Sequence, residues 1–130
     1  MISSNPVSKP IVLVVDDDIN FVTMLRTNLR TEGYEVVSAT DALTAQRMAS
    51  DLRPSLIVTD ILMPGIDGMA MMESIHAKPE LRHIPVIFLS GQAKENFEKE
   101  DAKSGLRYAL LKKPLFLPEF NQLVRKYLKL

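Results

Sequence analysis

The chain contains no cysteine. Disulfides, thiolate nucleophiles and sulfur-ligated metals are thereby excluded, and a reducing compartment suits such a sequence. There is no net charge either: sixteen Lys and Arg balance sixteen Asp and Glu, so non-specific attraction to nucleic acid or to an anionic membrane is not expected. No apolar run approaches membrane-spanning length, and the opening Met1–Pro6 lacks the basic and apolar regions of a signal peptide. The expected location is the cytoplasm. The histidines, His76 and His83, stand apart, and no His or Cys cluster suggests zinc or a softer metal.

What is present is 130 residues, 46% apolar and 25% charged, the composition of one soluble globular domain with a single core. A polar arm over residues 1–10 is expected to be flexible, with the folded domain over 11–130. Ile11-Val12-Leu13-Val14-Val15 is the continuous β-branched run of a strand buried on both faces, and it stops at Asp16-Asp17-Asp18. Phe21, Met24, Leu25 and Leu29 then recur at helical spacing, with Gly33 as the stop. Glu35–Ala39 reads as a second strand, and Ala42, Ala45, Met48, Ala49 and Leu52 mark a helix whose small face lets it sit close to a sheet.

Leu56-Ile57-Val58-Thr59-Asp60 is a third strand that ends on a carboxylate and is followed at once by the turn residues Pro64, Gly65 and Gly68. Met69, Met72 and Ile75 line a third helix that Pro79 breaks. Ile84–Leu89 is a fourth strand, ending in Ser90-Gly91. Lys94–Ser104 has helix-forming pairs such as Glu95 with Lys99, but its apolar face is only Phe97 and Ala102, so a weakly anchored fourth helix is expected. Tyr108–Leu111 forms the fifth strand, before Lys112-Lys113-Pro114. Pro118 opens a last helix with the stripe Phe120, Leu123, Val124, Tyr127 and Leu128. Strands alternating with helices predict a doubly wound α/β domain around a parallel sheet.

In such sheets ligands bind at the carboxyl ends of the strands, and those ends carry Asp16, Asp17, Asp60, Ser90 and Lys113. Converging carboxylates repel one another and raise one another's pKa unless a cation is present. A hard divalent ion with oxygen ligands, Mg²⁺ above all, resolves that. With one lysine and one hydroxyl added, the set has the parts of a phosphoryl-transfer site: a carboxylate nucleophile forming an acyl phosphate, and an ammonium neutralising charge on the transferred group.

The residues Val14-Val15-Asp16-Asp17, Asp60-Ile61-Leu62-Met63-Pro64-Gly65-Ile66-Asp67-Gly68, Ser90-Gly91 and Lys113-Pro114 together resemble the response-regulator receiver domain of two-component signalling, in the family's order and over nearly the whole chain. The resemblance implies a flavodoxin-like (βα)5 fold with a five-stranded parallel sheet in the order 2-1-3-4-5. It implies that Asp60 accepts a phosphoryl group from a histidine kinase or a histidine phosphotransfer protein. Asp16 and Asp17, with Asp60 and the Leu62 carbonyl, are implied to hold Mg²⁺ or another divalent cation such as Mn²⁺. Ser90 becomes the switch hydroxyl, Lys113 the phosphoryl contact, and the Lys113–Pro114 bond is expected to be cis. The chain would then catalyse only its own phosphorylation and dephosphorylation. Output would pass through the fourth helix, fifth strand and last helix to a downstream protein or to self-association, without direct nucleic-acid or membrane binding.

Two positions depart from the family pattern. The aromatic usually found three residues before the lysine is Leu110 here. Tyr108 lies on the same strand face and either serves in its place, leaves the coupling without an aromatic switch, or packs under the last helix. Leu62 and Gln92 flank the site, and an apolar Leu62 cannot position an attacking water, so slow self-dephosphorylation is expected. Asp18 and Asp67 are expected as helix caps, the histidines as packing or surface residues, and Met63, Met69, Met71 and Met72 as core filling.

Two competing functions are set against this. A haloacid-dehalogenase-like phosphatase would use Asp16 as nucleophile with Asp18 two positions on, but no acidic pair follows Lys113 and the loop after Asp60 would have no role. A pseudo-receiver would lack an acid, the hydroxyl or the lysine, and none is missing.

Overall fold

The structure, a computed structural model, describes residues 9–63 and 66–129, and of Met63 and Ile66 the backbone alone. The arm expected at the N-terminus falls, for residues 1–8, outside the described residues, as do Pro64, Gly65 and the side chain of Met63.

The β-branched run becomes β1 (Ile11–Val15), buried from Val12 onward. It is followed by α1 (Ile19–Thr31), β2 (Glu35–Ala39), α2 (Ala42–Leu52) and β3 (Leu56–Asp60). A two-residue antiparallel ladder, β4 (Leu62–Met63) with β5 (Ile66–Asp67), leads into α3 (Gly68–His76). Then come β6 (Val86–Ser90), β7 (Phe97–Glu100), β8 (Arg107–Lys112) and α4 (Leu117–Leu128).

Each of the first three helices begins on an aspartate. Asp18 accepts from Asn20 N and Phe21 N, Asp41 from Thr44 N, and Asp67 from Met69 N and Ala70 N. These carboxylates satisfy donors that a helix N-terminus leaves open. Gly33, with φ of 98°, ends α1 in the left-handed conformation that glycine adopts without strain.

The main sheet runs β2-β1-β3-β6-β8-β7, parallel through its first five strands. The doubly wound order expected from the sequence is therefore present. Its core lies in two layers. On one face α1 and α4 pack Leu25, Leu29, Phe120 and Val124 against Val12, Val14, Val58, Ile87 and Ala109. On the other, α2 and α3 pack Ala45, Ala49, Met72 and Ile75 against Leu13, Val15, Ile57 and Val86.

The fourth helix is a correction. Residues 97–100 form β7, antiparallel to β8, so the described residues form four α-helices and a six-stranded main sheet. A helix here would have buried little beyond one aromatic ring. As a strand, the segment satisfies its backbone on β8. The Phe97 ring meets Tyr108 edge-on at 6.5 Å, Glu98 bridges Lys126 at 2.9 Å, and Asn96 Oδ1 accepts from Lys112 N. The expected output face consequently consists of β7, β8 and α4. Met69 is a second correction: it is half-exposed, whereas Met71 and Met72 are buried.

Among the described residues no helix is long and apolar enough to cross a membrane.

Candidate functional site

Parallel pairing carries the chemistry-bearing residues to one edge. Asp16 N donates to Ala39 O, Ile61 N to Leu89 O, and Lys113 N to Ser90 O, so each ladder runs one step past its strand. The ends of β1, β3, β6 and β8 are thereby held side by side where the strand order reverses, the place at which open α/β sheets bind ligands.

Asp16 is only 1% exposed. Its Oδ1 accepts from Asp18 N at 2.9 Å and its Oδ2 faces Lys113 Nζ at 3.0 Å. Burial pushes its pKa above the ordinary carboxylate value; the Asp18 N–H and Lys113 lessen that rise, and the Asp60 charge adds to it. Asp17 is exposed. Carboxylate oxygens of Asp16, Asp17 and Asp60 lie within 4.8 Å of one another. Three carboxylates so close, offering oxygen alone, are the kind of cluster that suits a hard divalent cation.

Lys113 Nζ reaches Asp60 Oδ2 at 3.3 Å as well as Asp16. Burial works against its charge, but the hydrogen bond and charge of Asp16, and then those of Asp60, outweigh it and raise the pKa. The ammonium also lies 4.2 Å from the centroid of the Phe21 ring. The Lys113–Pro114 peptide bond is cis, as expected.

Asp60 is fixed from below. The buried Thr59 hydroxyl donates to the Asp60 carbonyl at 3.0 Å, and Gly68 N donates to Ile61 O at 2.7 Å. Any Cβ at Gly68 would collide with that same Asp60 carbonyl. The strict need for glycine there was not visible from the turn pattern alone, nor was the Thr59 contact. Phe21, placed by its spacing on the first helix, is another position whose contact with the site only the structure reveals.

Ser90 is buried, and its Oγ accepts from Gln92 N at 3.0 Å. The expected residues Asp16, Asp17, Asp60 and Lys113 thus converge, and Ser90 adjoins them at the end of the neighbouring strand. Leu62 is 63% exposed. Asp18 and Asp67 serve as caps, as expected, and His76 Nε2 contacts Ile84 O at 2.9 Å, a packing role.

Tyr108 does not pack under the last helix. It and Leu110 face the α2–α3 layer, whereas Ala109 and Leu111 face α1 and α4.

Residues 12–125 match the family model described as the response regulator receiver domain. The polar-differentiation response regulator DivK of Brucella anthropi is 31% identical over 120 residues, covering 92% of this chain and 96% of that protein. Among solved structures, the receiver domain of the sensor histidine kinase PA1611 from Pseudomonas aeruginosa, with a magnesium ion coordinated in its active-site cleft, is 26% identical. It has a TM-score of 0.78 and covers 93% of this chain and 98% of that one. The receiver domain of the hybrid histidine kinase CckA is 27% identical, with a TM-score of 0.74, covering 92% and 99%.

Proposed function

The chain belongs to the response regulator receiver family, and from that premise we propose that Asp60 is the residue that takes the phosphoryl group in this two-component signalling switch. The observation that carries the reading is Lys113, whose ammonium lies between the carboxylates of Asp16 and Asp60 at the reversal point of the sheet.

In the proposed reaction an Asp60 carboxylate oxygen attacks the phosphorus of a phosphohistidine. The new O–P bond makes an acyl phosphate, the P–N bond breaks, and the imidazole nitrogen leaves with the electron pair. Lys113 neutralises charge on the phosphoryl oxygens as a point cation. Ser90 turns its hydroxyl to a phosphoryl oxygen and so releases Gln92 N, which loosens the segment leading to β7. That is a population shift in the β7–β8–α4 face, through which a downstream protein or a second copy would be bound. Asp16, Asp17, Asp60 and the Leu62 carbonyl would hold Mg²⁺, which when bound supplies positive charge against the transferred group.

The donor is a histidine kinase or a histidine phosphotransfer protein, met in the cytoplasm. Among the described residues the most exposed large apolar side chains are Ile19, Phe116 and Leu62, which adjoin Asp17, Lys113 and Asp60 in sequence and would offer such a protein apolar surface near the acidic centre. The chain serves as its own substrate and turns over no other. The phosphatase alternative is disfavoured by Asp18, whose carboxylate is engaged as the α1 cap.

Incubation with Mg²⁺ and acetyl phosphate, followed by intact-mass measurement, tests the assignment. One added phosphoryl group on the native chain and none on Asp60→Asn is the expected result. An equal adduct on both would move the acceptor to Asp16, Asp17 or Asp18.

A further inference from the structure

We propose that Phe21 is a positioning residue for Lys113, the face of its ring holding the ammonium at the acidic site throughout phosphoryl transfer. This rests on the reading of Asp60 as acceptor and Lys113 as its phosphoryl contact.

Four contacts close a loop around the site. Asp16 Oδ2 holds Lys113 Nζ at 3.0 Å, and Asp16 Oδ1 accepts from Asp18 N at 2.9 Å. Asp18 Oδ1 in turn accepts from Phe21 N at 3.1 Å, and the Phe21 ring lies 4.2 Å from Lys113 Nζ. The carboxylate that binds the lysine thus also sets the cap that aims the ring. Side chains on a helix lean toward its N-terminus, so a residue in the first turn of α1 leans toward the strand ends where Lys113 emerges. Phe21 is only partly buried at the edge of the α1–α4 core, and 4.2 Å is well inside the reach of a cation–π contact.

The ring does what neither carboxylate can. When Asp60 becomes an acyl phosphate its own carboxylate charge is gone, and Asp16 is shared with the cation. A phenyl ring neither ionises nor ligates metal. Its attraction for the ammonium is unchanged by the reaction, and it covers one side of Lys113 against water.

The test is the rate of acetyl-phosphate labelling at saturating Mg²⁺, read by intact mass, for the native chain, Asp60→Asn, Phe21→Leu and Phe21→Tyr. A series with one, two or three ring fluorines placed on Phe21 alone completes the set. Fluorine drains the ring face while nearly preserving its shape, so a structural role would leave the series flat. We expect the rate to fall stepwise with fluorination, to fall about threefold to tenfold in Phe21→Leu, and to stay near native in Phe21→Tyr. A flat or rising fluorine series overturns the inference even if Phe21→Leu is slow. If the native chain takes no label, the assignment of Asp60 fails and the inference falls with it; labelling of the native chain alone separates the two failures.

Discussion

Lys113 Nζ is closer to Asp16 Oδ2, at 3.0 Å, than to Asp60 Oδ2, at 3.3 Å, although Asp16 lies 97 positions away in the chain and Asp60 only 53. The buried acid is the firmer partner and the proposed acceptor the looser one. The lysine can therefore follow the phosphoryl group without abandoning its anchor.

That anchor has a pH signature. Burial holds the Asp16 pKa above 3.8, its ordinary value. A carboxyl raised in this way contributes stability that is complete below 3.8 and lost as pH rises through its folded value. In chelator at pH 7, Asp16→Asn is expected to melt roughly a few degrees above the native chain, with the gap closing below pH 4. Saturating Mg²⁺ should reverse the order, since only the native site gains about 2.7 kcal/mol at a hundredfold excess over Kd. Thermal melts in both buffers check it; a variant that melts lower in chelator would refute it.

Gly68→Ala should cost about 2 kcal/mol, because its Cβ meets backbone and not a pliable side chain. Acetyl-phosphate labelling should slow with it, since relief of the collision displaces Asp60. Urea titration and labelling rate are the two readouts, and unchanged values in both would contradict the geometry.

Tyr127 is 4% exposed and its hydroxyl has no hydrogen-bond partner among the described residues. Tyr127→Phe should therefore gain about 1 kcal/mol by urea titration near neutral pH. Burial first, and Glu98 after it, push this phenol up to about 12. Native stability should consequently fall between pH 10 and 12, where the unfolded phenol ionises and the folded one does not. The advantage of the variant should widen there.

Leu62 stands at the mouth of the site with no group to orient a water. Leu62→Asn is expected to hasten loss of the phosphoryl group on the order of tenfold, about 1.4 kcal/mol of barrier. Intact mass followed over time measures this, and a native adduct lasting only seconds would sink the expectation.

Long buried strands, their acidic ends and the aspartate caps were legible because each rests on a local pattern: a β-branched run, a carboxylate beside it, a helix start. β7 was not. The Glu95–Lys99 spacing favours a helix locally, but the outcome depended on what β8, over 100 residues into the chain, offered to the backbone. Met69 falls at core spacing, yet it lies on the α2–α3 face, where among the described residues no helix follows α3 to cover β8. Phe21 was visible as a helix residue and invisible as a neighbour of Lys113, because that contact joins distant segments of chain. The need for glycine at 68 likewise depends on the fold of the preceding loop.

β7 also governs how one copy of this protein can meet another. It is one of the two edge strands of the sheet, β2 being the other, and is four residues long, with Glu98 and Glu100 on the α4 side and Phe97 and Lys99 on the other. When two such edges join by a twofold axis through the sheet, residues opposite each other must share a face. The registers centred on Glu98 and on Lys99 then set glutamate against glutamate, and the second sets lysine against lysine too. In both registers β7 is thus repelled by its own copy, which guards this edge of the sheet against edge-to-edge growth.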